Sequence, residues 1–235
     1  MASSNYVLCC WSGPRRGIDP RRDKDPAIYL RSNIASLRRL AHDLSQITVV
    51  IPENPSEPKA FASYVEQIPA HIGSTKVVVV RRPNVGMSYG SFSDVYGMYR
   101  TTFDYYFFVE DDYVFAVDHF DRLHIEELEK YPKCGYVCGV AMEAGFPLHA
   151  AMSVGCFRTK ALERVYLMNG CVPHSPTSEY RDNEARGQIG QSQALVRTGY
   201  TLRDWSGKYR VYFREAVGTN RLFHGECKET ILEPV

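Results

Sequence analysis

The amino-acid sequence predicts an α/β fold in which a mostly parallel, doubly wound sheet is flanked by helices and followed by a less regular second half. Two observations predict it. Five short runs of β-branched or aromatic residues are apolar on both faces, as is typical of central strands in a parallel sheet. Segments of helical length separate these runs, and a repeated strand and helix order implies right-handed crossovers. Such a sheet binds its ligands at the carboxyl ends of its strands.

The predicted elements of the first half alternate regularly. The apolar runs predict strands at residues 6–10, 47–51, 76–80, 105–109 and 136–140. The segments between them predict helices at residues 26–44, 59–68, 91–101 and 117–130. We therefore expect a nucleotide-binding layer over about residues 1–140, because this alternation is typical of doubly wound nucleotide-binding sheets.

The alternation weakens after about residue 141, where residues 146–158 are rich in Gly, Ala and Met. One last helix is predicted from Asp182 or the next residue to Arg197, with Asp182 as its N-cap and Gly199 just beyond its end. Residues 209–213 and then 222–224 are expected to return a strand toward the sheet. The second half is thus predicted to be less regular than the first.

Composition excludes several classes of protein. The chain has 28 Lys and Arg against 27 Asp and Glu, so its net charge of +1 creates no field that would gather nucleic acid. The odd total of seven cysteines, several of them in apolar runs, favours reduced thiols in the cytoplasm. We expect neither a signal peptide nor a transmembrane segment. A lipid-linked acceptor would therefore be reached through a peripheral membrane contact.

Three carboxylates, Glu110, Asp111 and Asp112, follow directly on the fourth apolar run in the segment YYFFVEDDYVF. At the carboxyl end of a buried strand they would repel one another unless a cation were present. Mg²⁺ or Mn²⁺ prefers one or two carboxylates together with phosphate oxygens. The plain alternative is an acidic turn after a strand, but the apolar residues on both sides favour a metal.

The order of these features resembles the GT-A fold of nucleotide-sugar glycosyltransferases, especially the family 2-like group, over roughly residues 47–165. Glu110 and Asp112 stand where that family has its D-x-D motif, and the turn Asn84-Val85-Gly86 precedes a helix of small residues. The resemblance implies one GT-A-like domain over residues 1–235, in which residues from about 141 onward face the acceptor.

The resemblance also implies a function. The enzyme would move a sugar from a UDP- or GDP-linked donor to a hydroxyl of a glycan, glycolipid or glycoprotein, with inversion favoured. Asp112 would bind Mn²⁺ or Mg²⁺, Glu110 and Asp111 would hold the ribose or the ion, and His224 would be a further metal ligand. His224 beside Glu226 reads equally well as a partly exposed histidine.

The donor nucleotide is expected over the ends of the first strands. Arginine suits a diphosphate because its planar fork pairs phosphate oxygens, although a solvated strand end is the alternative for Arg81. Asp94 is expected to contact the base or ribose. The remaining expected contacts follow the first and third strands, and they are Cys10, Trp11, Ser12, Arg81, Asn84 and Gly86.

The general base is expected to be a carboxylate that takes the proton of the acceptor hydroxyl. The family's acid falls near Gln188 in this chain, which is a departure from the pattern. The candidates are Asp182 and Glu184, near the start of the last helix, and Glu143, after the fifth strand.

Two alternative functions are left open by the sequence. A sugar-phosphate nucleotidyltransferase also uses acids and Mg²⁺ on a Rossmann-like sheet, but it usually has a Gly-rich basic loop that the segment WSGPRR matches only faintly. A non-catalytic carbohydrate- or nucleotide-binding module is favoured by the missing acid near Gln188. Pyrophosphate release from a nucleoside triphosphate separates the first alternative from a glycosyltransferase.

Overall fold

A computed structural model describes residues 2–13, 25–115, 117–138, 141–142, 149–150, 152–204, 209–211 and 232–234. The strands in these ranges are β1 Ser4–Cys9, β2 Gln46–Pro52, β3 His71–Ile72, β4 Thr75–Arg82, β5 Tyr105–Glu110, β6 Cys134–Cys138, β7 Ala141–Met142, β8 His149–Ala150, β9 Val154–Arg158, β10 Thr201–Asp204, β11 Tyr209–Val211 and β12 Leu232–Pro234.

The helices lie mostly between the strands. They are α1 Ile28–Arg39, α2 Lys59–Glu66, α3 Met87–Tyr99, α4 Phe120–Lys130, α5 Thr159–Asn169, α6 Tyr180–Asn183 and α7 Gly190–Arg197. A 3₁₀ turn, Arg100–Thr102, continues α3, and a π-helical turn, Glu184–Ile189, joins α6 to α7.

The main sheet has eight strands in the order β10-β6-β9-β5-β1-β2-β4-β3. The four strands β5, β1, β2 and β4 are parallel, as are β6 and β10. Strand β9 runs antiparallel between β5 and β6, and β3 is an antiparallel edge strand. The predicted fold class, an α/β architecture with a mostly parallel sheet flanked by helices, is confirmed.

Alternate residues of the central strands pack on opposite faces of the sheet, because successive side chains of a strand point to opposite sides. Tyr6 and Phe107 pack with α1, α2 and α4, which we call the first face. Val7 and Phe108 pack with α3, α5 and α7, which we call the second face. Both faces are rich in buried aromatic rings, so each layer of helices covers an apolar surface.

Strand β9 was not predicted, since its surroundings are rich in glycine and alanine. Its Gly155 is required by packing, because a Cβ atom there would lie 2.4 Å from the hydroxyl oxygen of Tyr136 on β6. A strand of five residues that contains a glycine and has its first four residues buried carries little periodic signal. An irregular segment was therefore predicted where the sheet has an antiparallel strand.

Three further predictions are corrected. The last helix begins at Tyr180, with Glu179 and not Asp182 at the N-cap position. Strand β11 pairs with β12 in a separate two-stranded sheet and does not join the main one. Helix α1 ends at Arg39, well before residue 44, because Leu40 adopts an extended conformation that leads the chain toward β2.

Helix α3 begins at Met87, four residues before its predicted start. Its N-cap, Gly86, has φ of 72°, a left-handed conformation that glycine adopts at little cost. The buried guanidinium of Arg82 donates hydrogen bonds to the Val85 carbonyl oxygen at 2.8 Å and to Asp94 at 2.5 Å. These contacts join the end of β4, the turn and α3, so they fix where α3 starts.

Within the described ranges, none of the helices has the length and apolarity that a bilayer crossing requires. The cysteines in those ranges form no disulfide with one another, and most of them are buried.

Candidate functional site

A pocket of about 60 Å³ opens at the carboxyl end of β5. It lies between that strand end, the first turn of α3, and the segment formed by α6 and the π-helical turn. The residues that line it are Met87, Ser88, Tyr89, Glu110, Tyr113, Ser153, Tyr180, Asn183, Glu184 and Gln188. The carboxyl edge of the sheet is where doubly wound folds bind ligands, so this pocket is the candidate site.

One wall of the pocket comes from β5 and α3. The Glu110 backbone N–H donates to the Ser153 carbonyl oxygen at 2.9 Å, which continues the pairing of β5 with the segment before β9. The Ser88 hydroxyl, in the first turn of α3, donates a hydrogen bond to the half-buried Glu110 carboxylate. The strand end and the helix start are therefore tied together at the pocket.

The opposite wall is the segment Tyr180–Gln188, which packs closely against Tyr89 of α3. A Cβ atom on Gly187 would lie 2.3 Å from the ring of Tyr89, so only glycine allows this approach. The Tyr89 hydroxyl donates to Oε1 of Gln188 at 2.7 Å. The π-helical turn matters here, because such turns concentrate at functional sites and bring residues five apart onto one side.

Asn183 is 2% exposed and lines the pocket with a fixed orientation. Its Nδ2 donates to the carbonyl oxygens of Thr177 at 3.0 Å and of Glu179 at 2.8 Å, and only the nitrogen of the amide can make those two bonds. Its Oδ1 is buried and accepts no hydrogen bond from the part of the chain that the structure describes. The amide of Asn183 is therefore held in one orientation beside the pocket.

The three residues of the acidic triplet lie in different surroundings in the structure. Asp111 and Asp112 are 2% and 1% exposed and are absent from the pocket lining, whereas Glu110 is on it. The Asp111 backbone is held from both sides, since its N–H donates to the Cys9 carbonyl oxygen at 3.0 Å and its own carbonyl oxygen accepts from Asn33 at 2.6 Å. Glu110 is the member of the triplet that a ligand in the pocket would meet.

Two buried tyrosines that line the pocket have raised pKa values. The pKa of Tyr89 is raised well above its ordinary value, mainly by burial and then by the Glu110 carboxylate, with a smaller effect from Glu184. The pKa of Tyr113 is raised by burial and then by Asp112 and Glu110. Both hydroxyls therefore stay protonated at neutral pH, and the described lining includes no lysine, arginine or histidine.

The predicted donor contacts lie at the carboxyl edge but not in the pocket. The Cys10 N–H is bonded to the Val50 carbonyl oxygen, and Ser12 accepts a hydrogen bond from Asn54 at 3.2 Å. Trp11 is half-buried against Gly13. These residues stay predicted contacts for a nucleotide beside the pocket.

The residues predicted after the third strand have structural partners. Arg81 forms an exposed ion pair with Glu57, with 3.0 Å between nitrogen and oxygen. Asp94 pairs with Arg82, as described above. The Asn84 carbonyl oxygen accepts a hydrogen bond from Ser178.

Of the predicted bases, Glu184 lines the pocket. Asp182 does not, and it accepts a hydrogen bond from the Thr177 hydroxyl at 3.4 Å. Glu143 and His224 lie outside the described residues. The pocket residues that sequence reasoning missed are Met87, Ser88, Tyr89, Tyr113, Ser153, Tyr180, Asn183 and Gln188, of which Gln188 was noted only as a departure from a family pattern.

The carboxylates do not gather as a metal site. No three His, Cys, Asp or Glu side chains within the described ranges are grouped so that they could hold a metal ion. Two members of the predicted triplet are buried away from the lining, and the predicted ligand His224 is not described. Within the described ranges the carboxylates therefore do not form a metal site by themselves, and Mn²⁺ or Mg²⁺ stays a prediction.

Comparison with known proteins gives relatives of the fold only. No family model and no curated protein matches the sequence. Among solved structures, a cytidylyltransferase from Leptospira borgpetersenii is similar over 86% of this chain and 74% of its own, with 14% identity and a TM-score of 0.50. A putative glucose-1-phosphate thymidylyltransferase from Bacillus anthracis is similar over 86% and 87%, with 11% identity and a TM-score of 0.52.

A third similar structure is a CMP:2-keto-3-deoxy-manno-octonic acid synthetase complexed with CTP, over 86% of this chain and 89% of that one, at 11% identity and a TM-score of 0.51. At these identities the likeness establishes an α/β fold of the kind that nucleotidyltransferases have. It contradicts the predicted glycosyltransferase function, because these neighbours are nucleotidyltransferases, and it favours the alternative that the sequence had left open.

Proposed function

We propose that this chain is a nucleotidyltransferase that moves a nucleoside monophosphate group from a nucleoside triphosphate to a small phosphorylated acceptor. A phosphate oxygen of the acceptor attacks the α-phosphorus of the triphosphate. The bond from that phosphorus to the oxygen bridging the β-phosphate breaks, and pyrophosphate leaves. The observation that carries the proposal is the fold likeness over 86% of the chain, combined with a pocket at the carboxyl edge of the sheet.

The start of α3 is suited to a phosphate group. The first N–H groups of a helix have no partner within the helix, and the helix dipole favours negative charge there. Helix α3 has no acidic residue in its first turn. A phosphate at this end would lie beside the pocket wall that Ser88 and Tyr89 form.

The triphosphate is expected next to this wall, over the end of β1. Cys9 is the direct pairing partner of Glu110, so the residues that follow Cys9 lie alongside the acidic segment. Cys10, Trp11 and Ser12 are our proposed contacts for the nucleotide. The buried tyrosines of the pocket would exclude water from the acceptor, and no step in this account depends on a metal ion.

The test is an assay of pyrophosphate release by the full chain. Each of the common nucleoside triphosphates is paired with a panel of sugar 1-phosphates and other small phosphate esters, in the presence of Mg²⁺ or Mn²⁺. We expect pyrophosphate only when both substrates are present. Release of a nucleoside diphosphate from a nucleotide sugar, with no pyrophosphate from any pair, would overturn the proposal.

Glu110→Gln sharpens that assay, since it keeps an acceptor for Ser88 and removes the charge. We expect kcat/KM to fall on the order of a hundredfold, the size of effect that changing one preorganised polar group of an active site typically has. Glu57→Gln is the matched control, as Glu57 pairs with the exposed Arg81 and lies off the pocket lining. Equal losses in the two variants would argue against a role for the pocket.

A further inference from the structure

The outer surface of the second face carries most of the large apolar side chains that are exposed within the described ranges. Four of the six lie there, and they are Met98 on α3, Leu167 and Met168 on α5, and Val196 on α7. Leu167 is 69% exposed and Val196 is 55% exposed. Contiguous apolar side chains on a surface mark places that contact another molecule, whereas scattered ones need no explanation. These residues are therefore significant only if they share one surface.

The exposed residues of α5 form a single stripe along that helix. Arg164, Leu167 and Met168 are three and four positions apart, so they lie on the same side of an α-helix. The exposed residues of α7 follow the same spacing, and they are Gln193, Val196 and Arg197. The opposite sides of the two helices are buried in the second-face core through Ala161, Leu162, Val165, Ala194 and Leu195. Each helix therefore turns one stripe outward.

Arg164 joins the two stripes. One nitrogen of its guanidinium donates to the Thr198 carbonyl oxygen at 3.4 Å, and its guanidinium carbon lies 5.4 Å from the centre of the Tyr200 ring. Thr198 directly follows α7, so the stripe on α5 continues onto α7. We call the exposed residues of these two helices the outer patch, and they are Lys160, Arg164, Leu167, Met168, Asn169, Gln193, Val196 and Arg197.

The outer patch has three positively charged side chains and no carboxylate. Among the residues that the structure describes, Arg164 and Arg197 form no ion pair. The one acid of α5, Glu163, is half-buried and pairs with Arg100, so it does not neutralise the outer patch. The whole chain has a net charge of only +1, so the positive excess is local. The outer patch is therefore complementary to a negatively charged surface.

The composition of the outer patch favours a lipid bilayer over a second copy of this chain or another protein. Two copies joined through the outer patch would bring like charges together, which is unfavourable. Protein interfaces are usually anchored by buried aromatic side chains, and none of the outer-patch residues is aromatic. Aliphatic side chains interspersed with lysine and arginine are instead typical of helices that lie on anionic bilayers.

We infer that the outer patch docks this protein on the surface of an anionic lipid bilayer. The aliphatic side chains of Leu167, Met168 and Val196 enter the boundary between headgroups and acyl chains. Arg164 and Arg197 contact the anionic headgroups. The inference goes beyond the proposed function and does not depend on it, because none of the outer-patch residues lines the pocket.

The test is co-sedimentation of the full chain with lipid vesicles, without nucleotide. Vesicles of phosphatidylcholine are compared with vesicles of phosphatidylcholine and phosphatidylserine. We expect roughly tenfold or tighter binding to the vesicles that contain phosphatidylserine, since each cation near an anionic bilayer contributes to binding. Added NaCl should weaken that binding because salt screens the attraction. No binding to either kind of vesicle, or equal binding to both, overturns the inference.

The double variant Arg164→Gln and Arg197→Gln tests the charges. We expect binding to the anionic vesicles to weaken roughly tenfold or more, because each cation contributes about fivefold. The matched control is Arg38→Gln with Arg39→Gln, which removes two exposed arginines of α1 on the first face. An equal loss of binding in the two double variants would overturn the assignment to the outer patch.

Leu167→Gln tests the apolar contribution without changing the charge. We expect it to weaken vesicle binding about fivefold, because a leucine side chain that enters the bilayer removes apolar surface from water. Val79→Gln is the matched control, an exposed apolar residue on β4. Both side chains are exposed, so both variants are expected to fold. Unchanged binding in Leu167→Gln would overturn the inference.

Sedimentation velocity of the same proteins tests the competing occupant. Self-association that Leu167→Gln removes, with no binding to vesicles, would assign the outer patch to a second copy of this chain and overturn the inference. Because no nucleotide is present in these measurements, their outcome is independent of whether the chain releases pyrophosphate from a triphosphate.

Discussion

The two faces of the sheet bury similar aromatic cores but contribute differently to the candidate site. On the first face, α1 holds the backbone of the acidic segment at two points. Asn33 donates to the Asp111 carbonyl oxygen at 2.6 Å, and Ser36 donates to the Phe115 carbonyl oxygen. Both donors are buried polar side chains within a helix that otherwise packs apolar residues on the sheet.

On the second face, the same kind of helix supplies side chains to the pocket. Ser88 and Tyr89 come from α3, and the π-helical segment that packs against α3 adds Glu184 and Gln188. The first face therefore positions backbone, while the second face presents the groups that a ligand would meet. One layer of helices therefore places the backbone of the acidic triplet, and the other layer surrounds Glu110 with the side chains of the pocket.

The largest expected effect comes from breaking the contact that joins the two pocket walls on the second face. In Gly187→Ala the new Cβ would lie 2.3 Å from Cδ2 of Tyr89, so the ring or the π-helical turn must move. Overpacking of a buried contact typically costs 1–3 kcal/mol, and we expect about 3 kcal/mol because the neighbour is a buried ring. Urea unfolding measures the free energy of unfolding directly.

Gly97→Ala is the matched control for that variant. It lies within the same helix as Tyr89, and its new Cβ would meet nothing closer than the Tyr166 hydroxyl at 3.9 Å. Alanine in a helix interior is favoured over glycine by roughly 0.5–1 kcal/mol, so this variant should be slightly more stable than the parent. If the free energy of unfolding of Gly187→Ala falls no further than that of the control, then Gly187 is not packed closely against Tyr89.

An intermediate effect is expected on the first face, where His124 is fully buried between Phe107 and Phe115. Burial lowers its pKa from 6.5 to about 4, and the hydrogen bond to the Phe120 carbonyl oxygen opposes the shift only in part. The unfolded chain therefore binds more protons between these two values. The contribution of His124 to the free energy of unfolding is fully present above its pKa in the unfolded chain. It is lost as the pH falls toward its pKa in the folded protein.

Between pH 7 and pH 5 this linkage amounts to about 2 kcal/mol, at 1.36 kcal/mol for each unit of pKa difference. Unfolding free energies measured by urea at both values should show that loss in the parent. The variant His124→Phe keeps an aromatic ring but has no titrating group at this position. Its free energy of unfolding should therefore fall less between the two pH values, by the amount attributed to His124. The same pH dependence in both proteins would mean that His124 is not buried as a neutral base.

The sequence was sufficient to predict the elements whose apolar residues follow a simple pattern along the chain. The apolar runs that became β1, β2 and β5 could be assigned because both faces of those strands are buried. The run that became β4 could be assigned from its four consecutive valines, although one face of that strand is partly exposed. Glu110 could be placed at the sheet edge because it follows such a run directly. Glu184, which was predicted as a candidate base from its place near the start of a helix, lies on the pocket lining, and its role stays a prediction.

The remainder of the site depends on contacts that no local pattern records. Asn183 and Gln188 are five residues apart and both line the pocket, which the π-helical turn permits and an α-helical period does not predict. The pairing of Asp94 with Arg82 depends on the turn geometry around Gly86. Side chains such as Asp94 are positioned by tertiary packing. The prediction that Asp94 contacts a ligand was based on its charge and residue type alone.

The smallest expected effect isolates one hydrogen bond between the two sides of the pocket. Tyr89→Phe removes the hydroxyl that donates to Gln188 at 2.7 Å and keeps the ring against Gly187. Losing a buried neutral hydrogen bond costs about 1 kcal/mol, so the free energy of unfolding should fall by that amount. If the walls hold together mainly through the ring and Gly187, acceptor binding should change less than threefold. A larger loss of binding, at unchanged stability, would show instead that the hydroxyl orients Gln188 toward the ligand.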